Sequence, residues 1–194
     1  YEIGSGLVGS EMCIRDRLDA LELLEYRGYD SAGIALADTG LKQTKVYKCA
    51  GRVKDLRVIC ESEKLITECG IGHTRWATHG GVNDTNAHPH QVGKVTLVHN
   101  GIIENYRELI ADYELESVLK SETDSEVVAA LLNKFYTGDP DEAIKKTVSK
   151  LKGTFALVIL FEDHQGEIYS VRNVSPIVAT LCKEGAMLAS DLTA

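Results

Sequence analysis

The sequence predicts an α+β domain in which two antiparallel β-sheets lie face to face and helices cover their outer sides. Three observations support this fold class. The predicted strands follow one another in pairs joined by short turns, as in antiparallel sheets. The predicted helices stand between these hairpins and do not alternate with single strands. The chain has 194 residues, 44% of them hydrophobic, which is enough for one sizeable core.

The strands are predicted from apolar or alternating runs that are bounded by turn residues. They cover residues 31–37, 44–49, 69–75, 95–99, 155–161, 168–172, 177–181 and 186–189. Asn100-Gly101 is a strong turn signal, so the strand before it is expected to end at His99. Residues 80–90 are rich in Gly, Asn, Asp and Pro and are predicted to form a loop.

The helices are predicted from helix-forming residues and from capping signals at their ends. They cover residues 18–26, 104–113 and 140–151, with a further helix through 127–132 and a helical or irregular stretch at 53–63. Gly28 is the expected end of the first helix. Thr123 with Glu126 three residues later is a capping-box arrangement, and Asp139 is the expected cap of the helix that Pro140 begins.

Composition and charge exclude several classes of protein. The net charge is −8 and no dense Lys/Arg cluster occurs, so we expect no nucleic acid partner. No apolar run approaches the roughly 20 residues that span a bilayer, so we expect no membrane partner. The five cysteines are odd in number and form no C-x-x-C motif, which favours reduced thiols in a cytoplasmic protein.

The first 17 residues match the rest of the chain poorly. Residues 1–10 are rich in Gly and Ser, and residues 11–17 are mostly charged. They lack the basic start and long apolar stretch of a secretory signal. We interpret residues 1–17 as an artefact of cloning, sequencing or gene prediction, and residues 18–194 as the domain itself.

A pocket for a small carboxylate ligand is predicted at residues 72–80, where an Arg, a Trp, two Thr and two His stand between glycines. Arg75 offers a planar fork that can bind a carboxylate through two hydrogen bonds. A free amino acid also needs an anion for its ammonium, and Asp124 is a candidate. Two simpler interpretations remain. Residues 72–80 could form a surface turn with a buried Trp, and the role of Asp124 could be limited to a favourable interaction with a helix dipole.

The histidines and Asn100-Gly101 allow two further interpretations. An Asn amide and a Gly N–H can stabilise the oxyanion of an acyl-transfer reaction, although an ordinary turn explains this pair by itself. His73 with His79, or His88 with His90, could bind zinc with Cys69 nearby. Their spacing matches no zinc signature, and the glycines form no nucleotide-binding motif, so no metal or cofactor is expected.

Five motifs in order resemble the glutaminase domain of glucosamine-6-phosphate synthases, which are type 2 glutamine amidotransferases. They are residues 25–33, 72–80, 86–90, 99–105 and 121–126, and the similarity runs from about Leu18 to Ala194. The resemblance implies an N-terminal-nucleophile hydrolase fold, a four-layer αββα sandwich, here incomplete at both ends. The corresponding enzymes of purine and asparagine synthesis share this fold but differ at the motifs around Arg27 and Arg75.

The resemblance also implies roles for particular residues. Arg75 would bind the α-carboxylate of glutamine and Asp124 its α-ammonium group. Asn100 and the Gly101 N–H would form the oxyanion hole. The remaining residues would line the pocket (Trp76, Thr78 and His79), stand beside the nucleophile (Arg27) or support the site (His88 and His99).

The sequence departs from the family at the nucleophile, which is an N-terminal Cys about 25 residues before the Arg-Gly-Tyr-Asp motif. Counting back from Arg27 leads to Glu2. Cys13 leaves only 13 residues before Arg27, too few for a strand and a helix. We therefore expect this chain to lack the nucleophile.

The leading hypothesis is a fragment of an amidotransferase that hydrolyses L-glutamine and passes ammonia to fructose 6-phosphate, which binds to other domains of a homo-oligomeric parent. A catalytically inactive glutamine-binding module and a zinc-dependent hydrolase are the alternatives.

Overall fold

The computed structural model describes residues 3–8, 14–38, 42–61, 67, 69–77, 80–182 and 185–191. The strands in these residues are β1 (Ile3–Val8), β2 (Ser31–Asp38), β3 (Gln43–Ala50), β4 (Cys69–Arg75), β5 (His90–Val92), β6 (Val95–Ile103), β7 (Gly153–Phe161), β8 (Tyr169–Asn173), β9 (Val178–Cys182) and β10 (Gly185–Ala189). The α-helices are α1 (Ile14–Leu23), α2 (Val53–Cys60), α3 (Tyr106–Tyr113), α4 (Asp124–Phe135) and α5 (Pro140–Val148). A short 3-10 helix, Glu25–Arg27, follows α1.

The strands form two sheets, and every pairing is antiparallel, as predicted. The large sheet has the order β3-β2-β4-β1-β10-β9, and the small sheet has the order β5-β6-β7-β8. The predicted hairpins are present as β2-β3, β7-β8 and β9-β10. The strand β1 lies inside the large sheet, between β4 and β10.

Successive side chains of β2 point alternately into two apolar layers. Ile34 and Leu36 pack against the helices α1 and α2. Ala35 and Ala37 point to the opposite side, where they pack with Val98 of β6 and other residues of the small sheet. Because successive side chains of a strand point to opposite faces, β2 is buried on both sides. The large sheet is therefore covered by helices on one face and by the small sheet on the other.

The fourth layer is formed by α3, α4 and α5 on the outer face of the small sheet. The helix α4 is buried all round from Asp124 to Leu132 because it lies between the small sheet and the helices α3 and α5. Residues 127–132 are apolar on every side of the helix, as expected of a segment that lies inside a protein. The layers thus follow the predicted order αββα.

The predicted caps of α4 and α5 are present. Thr123 Oγ1 accepts a hydrogen bond from Glu126 N at 3.2 Å, and Asp139 Oδ1 accepts one from Glu142 N at 3.1 Å. The capping box at α4 is only half formed. The Glu126 carboxylate instead accepts hydrogen bonds from Lys120 N at 2.9 Å and from the following backbone N–H at 2.5 Å. The Glu126 carboxylate therefore fixes the backbone of the segment that leads into α4.

The prediction of a turn at Asn100-Gly101 is wrong. The strand β6 continues to Ile103, and Asn100 pairs with Ala156 of β7. Gly101 has a φ of +127°, and a Cβ there would lie 2.0 Å from Thr154 O. A glycine is required here by the positive φ and by the close approach of β7. The dipeptide Asn100-Gly101 alone does not reveal either condition.

The helix α1 begins at Ile14, four residues before the predicted start at Leu18. Arg17 is buried in this helix and donates a hydrogen bond to Thr67 Oγ1. Residues 1–17 thus contribute β1 and the first turn of α1. Their interpretation as an artefact concerns the origin of the sequence and stays a prediction.

Two findings bear on the expectations from composition. Cys49, Cys60 and Cys69 are buried and form no disulfide among the described residues. Among the described residues, none of the helices is both long and apolar enough to cross a bilayer.

We predict that Gly33→Ala destabilises the fold, because a Cβ at Gly33 would lie 2.0 Å from the backbone oxygen of His88. Such overpacking typically costs about 1–3 kcal/mol in unfolding free energy, which urea denaturation measures. Gly81→Ala is the control, since its Cβ would meet nothing nearer than 3.8 Å. Equal stability of the two variants would contradict the packing described for β2.

Candidate functional site

Polar side chains meet between the two sheets where β4 and β6 approach each other. In β4, Cys69 and Ile71 face the small sheet, so His73 and Arg75 face it too. In β6, Val98 faces the large sheet, and Asn100 lies on the same side. His73 Nε2 and Asn100 Oδ1 are 3.0 Å apart and form a buried hydrogen bond between the sheets.

Arg75, at the end of β4, is almost completely buried. Its guanidinium donates to Gly81 O at 3.4 Å, and Asn86 Nδ2 donates to the same oxygen at 2.9 Å. Glu122 Oε2 in turn accepts hydrogen bonds from Gly81 N at 3.2 Å and from Asn86 Nδ2 at 3.1 Å. The loop that follows Arg75 is thereby tied to the segment that immediately precedes Asp124.

Asp124 is the first residue of α4 and is also buried. Its Oδ2 accepts a hydrogen bond from Ile103 N at 2.8 Å, and its Oδ1 accepts one from Ser125 Oγ at 3.3 Å. His99, on the helix-facing side of β6, lies 2.9 Å from Ser125 Oγ and 4.0 Å from the Asp124 carboxylate. A carboxylate can accept about four hydrogen bonds, so these two donors leave capacity for a ligand.

The Arg27-Gly28-Tyr29-Asp30 motif supports the backbone around Arg75. Asp30 N donates to Arg75 O at 3.0 Å, and Asp30 Oδ2 accepts from Ala77 N at 2.9 Å. A Cβ at Gly28 would lie 2.8 Å from the Arg75 carbonyl carbon. The motif needs Gly and Asp at these positions because the two segments are in direct contact. Gly28 itself is extended, with a φ of −167°, and does not end the helix in a left-handed conformation.

The remaining predicted residues occupy the edge of this region. Trp76 is 50% exposed, and its ring packs edge-to-face on Tyr29 with centroids 5.4 Å apart. Arg27 forms an ion pair with Asp191, with Nη1 and Oδ2 2.7 Å apart. Thr78 and His79 lie outside the described residues.

A row of buried histidines extends from Asn100 to the start of α4. His73 stacks on His88 with ring centroids 4.2 Å apart, and His88 packs edge-to-face on His90 at 4.7 Å. His90 Nε2 lies 3.0 Å from Thr123 Oγ1. Burial lowers the pKa of His73 to about 4, and the pKa values of His88 and His90 well below their usual value. The three rings are therefore neutral at pH 7.

The geometry gives little support to the zinc alternative. Cys69 precedes His73 by four residues in β4, which corresponds to a separation of about 13 Å along a strand. Within the described part of the chain, His, Cys, Asp and Glu form no group of three or more that could hold a metal ion.

Three polar residues of this region are not part of the predicted site. The sequence suggests His73 only as a metal ligand and gives no role to Asn86 and Glu122. The alternation of side chains along the predicted strand 69–75 could have placed His73 on the face of Arg75. Nothing local identified Asn86 and Glu122, because they come together through the fold.

A model of the glutamine amidotransferase domain matches residues 73–194. The chain belongs to this family. It is 45% identical over 192 residues to glutamine–fructose-6-phosphate aminotransferase [isomerizing] of Aquifex aeolicus, and the match covers 97% of this chain and 32% of that protein. The enzyme of the same name from Thermus thermophilus is 46% identical over 193 residues, with coverages of 97% and 31%.

Solved structures show the same fold for this amidotransferase domain. Glutamine phosphoribosylpyrophosphate amidotransferase from B. subtilis superposes with a TM-score of 0.82 and 24% identity, over 97% of this chain and 41% of that one. The allosteric regulatory enzyme of purine biosynthesis superposes with a TM-score of 0.83 and 26% identity, with the same coverages. The predicted fold and the resemblance to glutaminase domains are confirmed. The chain spans about a third of the length of the curated relatives it matches.

We predict that the amidotransferase domain loses stability as the pH falls below the ordinary histidine pKa. In the unfolded chain His73 binds a proton near pH 6.5, whereas in the folded chain it binds one only near pH 4. Stability is thus fully present above pH 6.5 and decreases as the pH falls toward 4, by at most about 1.4 kcal/mol per pH unit for each such histidine. Urea denaturation at pH 7.5, 6.5 and 5.5 measures this slope.

His73→Gln should reduce the slope, since it removes one of the titrating groups. His164→Gln is the control, because His164 lies outside the histidine row, in the connection between β7 and β8. A stability that does not change between pH 7.5 and 5.5 would show that the row is not buried as described.

Proposed function

We propose that this chain is the glutamine-binding domain of a longer amidotransferase that supplies ammonia for making glucosamine 6-phosphate from fructose 6-phosphate. The observation that carries the proposal is the pair of buried, oppositely charged groups at Arg75 and Asp124, connected through Gly81 and Glu122. An α-amino acid carries both complementary charges on one carbon. The names of the relatives specify glutamine and fructose 6-phosphate.

In this proposal Arg75 binds the α-carboxylate of glutamine through its planar fork, and Asp124 accepts hydrogen bonds from the α-ammonium group. Trp76, Thr78 and His79 line the pocket. His88 and His99 support it from the core, and Arg27 stands beside the nucleophile. The Asn100 amide and the Gly101 N–H donate to the oxygen of the side-chain amide as negative charge develops there.

The chemistry requires a thiolate that attacks the side-chain carbonyl carbon of glutamine. The tetrahedral oxyanion then collapses, ammonia leaves with the proton taken from the thiol, and water hydrolyses the thioester to glutamate. An α-amine is a suitable base for the thiol because its pKa lies close to that of the thiol, at about 8. A Cys that carries its own free α-amine can therefore supply both groups.

We further propose that the residue directly before β1 is the nucleophile position. The register pairs Ile3 with Thr74, so β1 begins beside Arg75. Glu2 stands before Ile3 in this sequence. With a carboxylate in place of a thiol, the chain would bind glutamine without hydrolysing it, and this favours the alternative of an inactive binding module for the sequence as it stands.

The partners in this proposal are L-glutamine in this domain and fructose 6-phosphate in the remainder of a homo-oligomeric protein, with neither nucleic acid nor a membrane involved. The reduced thiols of Cys49, Cys60 and Cys69 support a cytoplasmic location.

We predict that the chain binds L-glutamine in isothermal titration calorimetry, and that both Arg75→Lys and Asp124→Asn weaken binding. Each variant loses one charge-assisted contact, which corresponds to a decrease in affinity of about ten- to a hundredfold. Arg52→Lys is the matched control, because Arg52 is an exposed arginine whose side chain is 60% accessible.

A ligand without the α-ammonium group distinguishes binding from general damage. The wild-type chain should bind 4-carbamoylbutanoate more weakly than glutamine, whereas Asp124→Asn should bind the two ligands about equally. An Asp124→Asn variant that keeps the full preference for glutamine would rule out this carboxylate as the ammonium site.

We predict that removing Tyr1 and changing Glu2→Cys produces glutamine-dependent ammonia release, which the chain as given lacks. The control is Glu2→Cys with Tyr1 retained, because its Cys has no free α-amine to take the thiol proton. A coupled glutamate dehydrogenase assay measures the ammonia. Equal activity in the two variants would exclude the α-amine as the base.

A further inference from the structure

We propose that His73 is a positioning residue that fixes the orientation of the Asn100 side-chain amide. This inference rests on the proposed function, in which Asn100 donates to the oxyanion. An Asn amide has an acceptor end and a donor end of nearly the same shape. Only the orientation with the NH2 group toward the substrate stabilises negative charge. A neighbouring group must therefore fix the amide in that orientation.

The hydrogen bond between the sheets selects that orientation. Asn100 Oδ1 faces His73 Nε2 at 3.0 Å, and a carbonyl oxygen can only accept, so Nε2 must carry the hydrogen. The NH2 group then points away from the His73 ring. If the hydrogen were on Nδ1 instead, Nε2 would be an acceptor and would attract the NH2 group. The amide would turn over and present its oxygen to the developing oxyanion.

The surroundings of His73 favour the required tautomer. Nε2 is the ring nitrogen that lies 3.0 Å from the buried Oδ1 of Asn100. A hydrogen on Nε2 joins the two atoms, whereas a hydrogen on Nδ1 would leave two acceptors facing each other. Burial also lowers the pKa of the ring to about 4, so that one nitrogen alone carries a hydrogen at neutral pH. The hydrogen therefore belongs on Nε2, where Asn100 accepts it.

The ring itself is held by the neighbouring histidines. The plane of His88 lies at 28° to that of His73, and neither nitrogen of His88 has a hydrogen-bond partner among the described residues. His88 thus acts on His73 through stacking. His90 completes the row with its hydrogen bond to Thr123, the residue before Asp124. The oxyanion donor and the proposed ammonium site are consequently positioned by one contiguous set of side chains.

Nuclear magnetic resonance on the chain as it stands tests the tautomer without any reaction. Long-range proton–nitrogen spectra of the labelled imidazoles distinguish a protonated nitrogen from a bare one. We expect His73 to carry its hydrogen on Nε2 from pH 8 to pH 5.5. A hydrogen on Nδ1, or titration of the ring near pH 6.5, would overturn the proposal.

Kinetics in the variant with an N-terminal Cys at position 2 test the consequence. His73→Leu should lower kcat for glutamine hydrolysis by about a hundredfold, the lower end of the effect of losing an oxyanion donor. Its KM should change by less than about threefold, because Arg75 and Asp124 still hold the substrate. His73→Gln, whose side-chain amide can also donate to Asn100, should restore most of kcat.

Thr96→Val is the matched control for a buried change on the same face of β6. Thr96 is 1% exposed, and its hydroxyl has no hydrogen-bond partner among the described residues. It should leave both kinetic constants unchanged. Equal loss of kcat in His73→Leu and His73→Gln would overturn the positioning role, as would a rise in KM alone. If the N-terminal Cys variant shows no hydrolysis, the proposed reaction fails, while the tautomer measured on the unmodified chain still decides the role of His73.

Discussion

The hydrogen bond between His73 and Asn100 is the interaction on which the candidate site depends. The space between the sheets is apolar where Ala35, Ile71 and Val98 meet, and it becomes polar at this pair. A buried polar group without a hydrogen-bond partner costs free energy, so such groups usually pair. The contact between Nε2 of His73 and Oδ1 of Asn100 pairs two of them across the two sheets, and it therefore fixes how the ends of β4 and β6 lie relative to each other.

Packing of backbone against backbone explains why the motifs contain the residues they do. Gly28 allows the segment before β2 to touch Arg75, and Gly33 allows β2 to touch the carbonyl of His88. Lys48 donates to the carbonyls of Thr85 at 3.1 Å and Ala87 at 2.7 Å, and so holds the same loop against β3. Motifs far apart in the sequence are thus parts of one contact surface. The residue types in these motifs are therefore determined by the close approach of backbone segments as well as by the chemistry of the candidate site.

Much of this fold follows from the sequence because its strands carry local signals. The runs at β2, β4 and β7 have apolar patterns with clear boundaries, and the predicted range 69–75 agrees with β4. The strand β1 has no such signal: its sequence IGSGLV is rich in Gly and Ser, and its place depends on pairing with β4 and β10. Arg75 and Asp124 could be proposed from ligand chemistry, whereas the role of His73 depends on a neighbour 27 residues away.

The register of β1 limits where a nucleophile can stand. Ile3 is opposite Thr74 at the Arg75 end of β4, while Val8 is opposite Cys69 at the other end. Six residues separate Cys69 from Arg75, which is about 20 Å along a strand. The Ile3 end of β1 therefore lies beside the buried Arg75, whereas the Val8 end lies at the far end of β4. This direction of β1 is the observation that supports the proposal of a nucleophile position directly before Ile3.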